Sequence, residues 1–162
     1  MNDNKPKPPP LSLRKKSSAR LAAVQCVYRL ELNRERITPQ ELFDDYMAQW
    51  HEDKDSTNRA MSFEAEPDKP LFLRIISGVI EKSDEIGQFI RSSLNDKWKL
   101  ERMSPLLIAI IACAVYEIRH LSSKPVIAVN EYVTLTGRFF DLPEVGFVNG
   151  ILDKLAKEQK TT

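Results

Sequence analysis

The side chains able to do covalent or acid–base chemistry are few, and their placement argues against catalysis. Cys26 and Cys113 each sit inside an apolar helical pattern. Burial there raises a thiol pKa and makes the thiolate scarce, so both read as small core residues. Two distant cysteines suit neither a disulfide framework nor a zinc site. His51 and His120 fall at predicted helix ends, where His120 is placed to meet the last carbonyls of its helix. Asp44-Asp45 and Asp84-Glu85 are adjacent acids. Neighbours on a helix point about 100° apart, so each pair reads as a solvated face and not as an acid–base dyad. With only five glycines, the chain contains no phosphate loop, dinucleotide fingerprint or nucleophile elbow. It is expected to be no enzyme and to carry no metal or cofactor.

Binding chemistry is better represented. A formal net charge of +1 conceals an uneven distribution. Residues 1–20 hold six cations (Lys5, Lys7, Arg14, Lys15, Lys16, Arg20) against Asp3, a net of +5, whereas residues 40–68 hold nine acids against Lys54 and Arg59, a net of −7. A basic end of this kind neutralises phosphates locally even when the whole chain is nearly neutral. The aromatic residues Phe43, Tyr46, Trp50, Phe72 and Phe89 fit inward-facing stripes, but Phe139, Phe140 and Phe147 flank Leu142-Pro143, where at least one ring must be partly exposed. That cluster divides evenly between packing and ligand contact, and stacking on an exposed ring contributes about 1–3 kcal/mol per base.

The elements that must position these groups follow from periodicity and caps. Residues 1–12 are rich in Pro and Lys and predict an extended or disordered basic arm. A helix begins near Ser12, with Leu21, Val24, Tyr28 and Leu32 on a stripe widened by Cys26, Val27 and Leu30. Cations at its start oppose the helix dipole by about 0.3–1 kcal/mol each, which points to a use outside the helix. Thr38-Pro39 caps a second helix that ends near His51. The acidic, aperiodic stretch 52–68 reads as a loop, and a helical region follows over 69–94 with a break near Ser83. Ser104-Pro105 caps the most apolar helix, Leu106 to about His120, which must be central. Pro125 opens a helix with Val129, Val133, Leu135 and Phe139 inward. Leu142-Pro143 interrupts the chain, and a last helix over 144–157 carries Val148, Ile151, Leu152 and Leu155 on one face. No strand-like alternation occurs. The expected fold is all-α, about seven helices packed as two small antiparallel bundles, forming one domain over residues 13–158 with a short tail at 159–162. The longest apolar run, Leu106 to Tyr116, is about half of the ~20 residues that a membrane span requires. The N-terminus carries no export pattern, so a cytoplasmic location is expected.

Two stretches, SARLAAVQCVYRLEL from Ser18 to Leu32 and the segment from Ala114 to Glu158, resemble the NusB family of bacterial transcription antitermination factors. The resemblance lies in an AxQxxY helix near the start, a YEL-type helix end, a Pro followed by Val129-Asn130-Glu131, and the signature Phe147-Val148-Asn149-Gly150-Ile151-Leu152-Asp153. It implies an RNA-binding adaptor without enzymatic activity. Such a factor binds boxA-type single-stranded RNA of ribosomal RNA leaders together with the ribosomal protein NusE, as part of the RNA polymerase antitermination complex. It also implies that Arg14, Lys15, Lys16 and Arg20 supply phosphate contacts, while Tyr28 and Phe147 stack or pack against unpaired bases. Asn130, Glu131, Asn149 and Gly150 match the family as well and are read as helix-cap and close-packing residues.

The chain departs from the family's pattern at Ser17 and Ser18, where many relatives are basic, at Ala112, where they have arginine, and at Pro143, where an acid is frequent. Fewer phosphate contacts imply weaker and less salt-dependent binding, at about −0.7 in log–log slope per phosphate on single strands. Exchanging Lys16 and Arg20 for Glu is expected to weaken RNA binding with the fold intact. Two other readings stand beside this one. The same helical module resembles the N-terminal domain of some ribosomal RNA cytosine methyltransferases, which makes a recognition module for RNA methylation an alternative. A structural homodimer of the free protein is the other.

Overall fold

The computed structural model describes residues 6–33, 36–54 and 65–159. The first five residues of the expected arm, most of the expected acidic loop and the last three residues of the tail lie outside the described residues. Within them, Pro6 to Pro10 are exposed and non-helical. Helix α1 (Leu11–Asn33) starts directly after the proline run, and the Pro10 carbonyl accepts the N–H groups of Leu13 and Arg14 at 3.0 and 3.1 Å. Its middle turns, Ser18 to Val24, are buried all round and not on a single stripe. The small side chains of Ser18, Ala19, Ala22 and Ala23 let the helices Lys69–Glu81 and Pro105–Tyr116 close in.

Helix α2 (Pro39–Lys54) opens with a capping box. The Glu41 N–H donates to Thr38 Oγ1 and the Thr38 N–H donates to Glu41 Oε2, both at 3.2 Å, so two otherwise orphaned donors satisfy each other's side chains. Helix α3 (Lys69–Glu81) is capped by Asp68, whose Oδ1 accepts the Leu71 N–H at 3.0 Å. A single residue, Lys82, separates α3 from α4 (Ser83–Ser93), in agreement with the break expected near Ser83. Gly78 on α3 is required by close approach: a Cβ there would lie inside the Tyr116 ring.

After a 3₁₀ turn at Leu100–Arg102, Ser104 Oγ accepts the Leu106 N–H at 3.2 Å and Pro105 begins α5 (Pro105–Tyr116). Helix α5 is apolar on every side and contacts α1, α3, α4, α6 and α7, the central position its composition demands. It runs on into a π turn, Glu117–Leu121, closed by the Ser122 N–H on the Glu117 carbonyl at 2.8 Å. Pro125 then starts α6 (Pro125–Phe139), and a link of two residues leads to α7 (Leu142–Gln159), which begins slightly earlier than periodicity suggests. So short a link makes α6 and α7 antiparallel neighbours, and they share the most extensive pairing in the molecule.

The fold is all-α, with seven α-helices and no strand among the described residues. Helices α1 to α3 form one bundle and α4 to α7 the other. Contact between α1 and α5 fuses their interiors into one continuous apolar core. Cys26 and Cys113 lie inside it. Burial pushes the Cys26 thiol up to about 12 and the Cys113 thiol well above its ordinary value.

Candidate nucleic-acid interface

The start of α1 presents Arg14 and Lys15 half-buried and Lys16 exposed. Arg14 Nε donates to the Pro9 carbonyl at 3.1 Å, folding the proline run back on the helix. The Lys15 carbonyl accepts the Asp68 N–H at 3.0 Å, which ties this end of α1 to the start of α3. Among the described residues no carboxylate pairs with Arg14, Lys15 or Lys16.

Arg20, one turn further on, lies on the same side of the helix as Lys16 but is buried. It is only 8% exposed, and its Nε and Nη2 donate to Glu117 Oε1 and Oε2, both at 2.9 Å. Glu117, 3% exposed, also accepts the Tyr132 hydroxyl at 3.0 Å. Arg20 Nη1 lies 3.5 Å from Glu131 Oε2, which accepts the Ser17 hydroxyl at 2.8 Å. Burial acts to lower the Arg20 pKa, but the hydrogen bonds and charge of Glu117 outweigh it and hold the guanidinium above its ordinary value. Burial and the Glu117 charge push the Tyr132 phenol well up. The network joins α1, the π turn and α6. It corrects the expectation that Arg20 offers its charge to RNA, because its guanidinium is already committed to buried carboxylate. Exchanging Arg20 for Glu would set a third carboxylate beside Glu117 and Glu131, so an intact fold is not expected of that substitution either.

The remaining expected residues are dispersed. Tyr28 lies twelve residues beyond Lys16 on the same helix, about 18 Å along the axis at 1.5 Å per residue. It is half-buried against the core. Phe147 is half-exposed and stacks on Trp98, with ring centroids 4.3 Å apart and planes at 15°. Trp98 escapes sequence reading because it belongs to the irregular segment before α5, where no periodicity marks a face. Phe139 and Phe140 are half-buried against the core.

Of the four signature residues, only Glu131 holds neighbouring structure together. Asn130, Asn149 and Gly150 lie inside helices and are exposed, and a Cβ added at Gly150 would meet nothing within 4 Å. They are neither caps nor close-packing residues. His120 likewise departs from expectation: its Nε2 lies 3.2 Å from Glu85 Oε1 and its ring stacks on Tyr116, so it bonds a carboxylate and not terminal carbonyls. Glu85 is thereby more than a solvated acid, since Arg119 Nη1 also donates to it at 3.1 Å.

Two of the departures from the family pattern change meaning in place. Ser18 is buried, so the lack of a cation there removes nothing from the exposed face. Ala112, 7% exposed, lines an apolar groove with Val27, Leu30, Ile86 and Ile108, away from the start of α1.

Comparison with known proteins agrees with this architecture. The family model described as "NusB family" matches residues 17–157. The transcription antitermination protein NusB of Rhizobium leguminosarum bv. trifolii is 33% identical over 159 residues, covering 98% of this chain and 96% of that protein. Its counterpart in Sphingopyxis alaskensis is also 33% identical, over 88% of this chain and 93% of that one. Among solved structures, T. maritima NusB superposes with a TM-score of 0.66 at 26% identity, covering 88% of this chain and 91% of that one. The antitermination factor NusB in a crystal structure with NusE and dsRNA gives 0.68 at 23% identity, over 90% and 98%, and shows the fold. With the family pattern running through all seven helices, the chain belongs to the NusB family, that of the transcription antitermination proteins it matches.

Proposed function

We propose that this chain acts in antitermination by binding and not by catalysis. It holds boxA-type single-stranded RNA of ribosomal RNA leaders jointly with the ribosomal protein NusE, in the cytoplasm, as part of the RNA polymerase antitermination complex. The observation that carries this reading is the start of α1, where Arg14, Lys15 and Lys16 have no carboxylate partner among the described residues while Arg20 anchors the helix beneath them. Such a surface suits phosphates, which position a strand without reading it. Reading requires base contacts, and two features supply them. Asn130 is exposed one residue before Glu131, whose carboxylate touches Ser17 on α1, and its amide is a group suited to base edges. The Trp98–Phe147 stack offers a ring edge or face to an unpaired base. Tyr28, half-buried and far along α1, is assigned a supporting part and not the first contact with the strand. A related NusB has been solved with NusE and dsRNA, which supports NusE and RNA as the classes of partner.

Transcription through a terminator placed downstream of a boxA leader tests the reading. With RNA polymerase and the other antitermination factors present, adding this chain should raise read-through, and scrambling boxA should abolish the gain. Equal read-through with and without the chain would contradict the proposal.

A further inference from the structure

A second concavity, of about 480 Å³, lies between the starts of α1 and α3 and the link that precedes α6. That volume falls within the roughly 300–1,000 Å³ of small-ligand sites. Lys16, Arg20, Arg74 and Lys124 line it, against the carboxylates of Asp68 and Glu117. Both carboxylates are occupied within the fold. Asp68 Oδ1 caps α3 through the Leu71 N–H, and Glu117 receives Arg20 and the Tyr132 hydroxyl. Arg20 is neutralised in the same pair. Lys16, Arg74 and Lys124 are exposed and have no acidic partner among the described residues. Four cations against two carboxylates leave the lining a net charge of +2, a positive potential that the walls of the cleft focus. Ile127, half exposed, adds apolar surface on which a base can lie.

We propose that this cleft takes the phosphodiester backbone of the RNA strand beyond the start of α1, with Arg74 and Lys124 as phosphate contacts. Lys16 belongs to both surfaces, so a strand following the first turns of α1 enters the cleft without leaving positive ground. The planar fork of Arg74 fits a phosphate bidentately, and Lys124 adds a point charge opposite. The inference rests on the RNA-binding reading of α1 and adds to it two residues from α3 and the link before α6.

Titration of labelled boxA RNA in the presence of NusE, at several salt concentrations, tests it on the full chain. Arg74→Ala and Lys124→Ala should each weaken binding about fivefold at 0.1 M salt and lower the log–log salt slope by about 0.7. BoxA and scrambled RNA should be affected alike, as phosphate contacts carry no sequence information. Both side chains are exposed, so melting temperatures should stay at the wild-type value. If Arg74→Ala melts early, Arg74→Gln supplies the same readout with the stem of the side chain retained. Wild-type affinity and slope in the Arg74 and Lys124 variants, beside a loss in Lys15→Ala/Lys16→Ala, would overturn the cleft and leave the wider function standing. A wild-type chain that binds no RNA would remove both. Weaker association with NusE in the absence of RNA, at unchanged RNA affinity, would make the cleft a protein surface and overturn the proposal.

Discussion

Lys16 and Arg20 differ by one helical turn and by everything that decides their use. Sequence shows both as cations ahead of an apolar run. Only the fold shows that Glu117, 97 positions from Arg20, closes on its guanidinium. A partner that distant leaves no local trace, so the basic end was legible and its division into exposed and buried members was not. Lys15→Ala with Lys16→Ala should lower the salt slope of RNA binding by about 1.4, with an unchanged melting temperature; a slope equal to wild type would place the strand elsewhere. Arg20→Ala leaves Glu117 buried without its partner and should destabilise the protein by about 3–5 kcal/mol, measured by denaturant unfolding. Cys26 and Cys113 carry buried thiols with raised pKa values. Iodoacetamide at neutral pH should therefore modify neither until the chain unfolds, and rapid native labelling would show that the core opens.

Helix starts were legible because the cap residues act locally. Thr38-Pro39, Ser104-Pro105 and Pro125 begin helices in the structure where their chemistry places them. The π turn at Glu117–Leu121 was not legible. Its first residue, Glu117, meets Arg20 and Tyr132 from two other helices, tertiary contacts that residue spacing does not encode. Gly78 was hidden for the same reason: the Tyr116 ring it accommodates belongs to another helix. Gly78→Ala should destabilise by about 1–3 kcal/mol through overpacking, despite the better helix propensity of alanine, and denaturant midpoints would reveal the sign. Helices α4 and the π turn are joined by Glu85. The burial of its carboxyl is slight and is outweighed by His120 and Arg119, which hold it below the usual carboxylate range. A folded pKa below the unfolded value means that the contribution is present above the ordinary carboxylate pKa and is lost as pH falls through the lowered folded value. The stability gap between wild type and Glu85→Gln should accordingly close in acid, and a gap constant with pH would mean that these contacts carry no charge-dependent stability.

For the whole molecule, the uneven charge along the chain matters more than its net value of +1. The seven helices share one core, and the two bundles meet through α1 and α5, so the cationic start of α1 is fixed to a rigid body. The all-α fold was legible throughout, since helical periodicity needs no distant information. The surface was legible only in part: Asn130, Asn149 and Gly150 look structural in the sequence and face solvent in the fold. A protein with a cationic helix end, exposed amides and no catalytic constellation among the described residues is suited to holding one RNA strand against one protein partner. Equilibrium titration of labelled boxA RNA by the chain, with and without NusE, measures this most directly. The account predicts preference for boxA over a scrambled strand, tighter when NusE is present and weakening as salt rises. Equal affinity for the two RNAs with NusE present would contradict it.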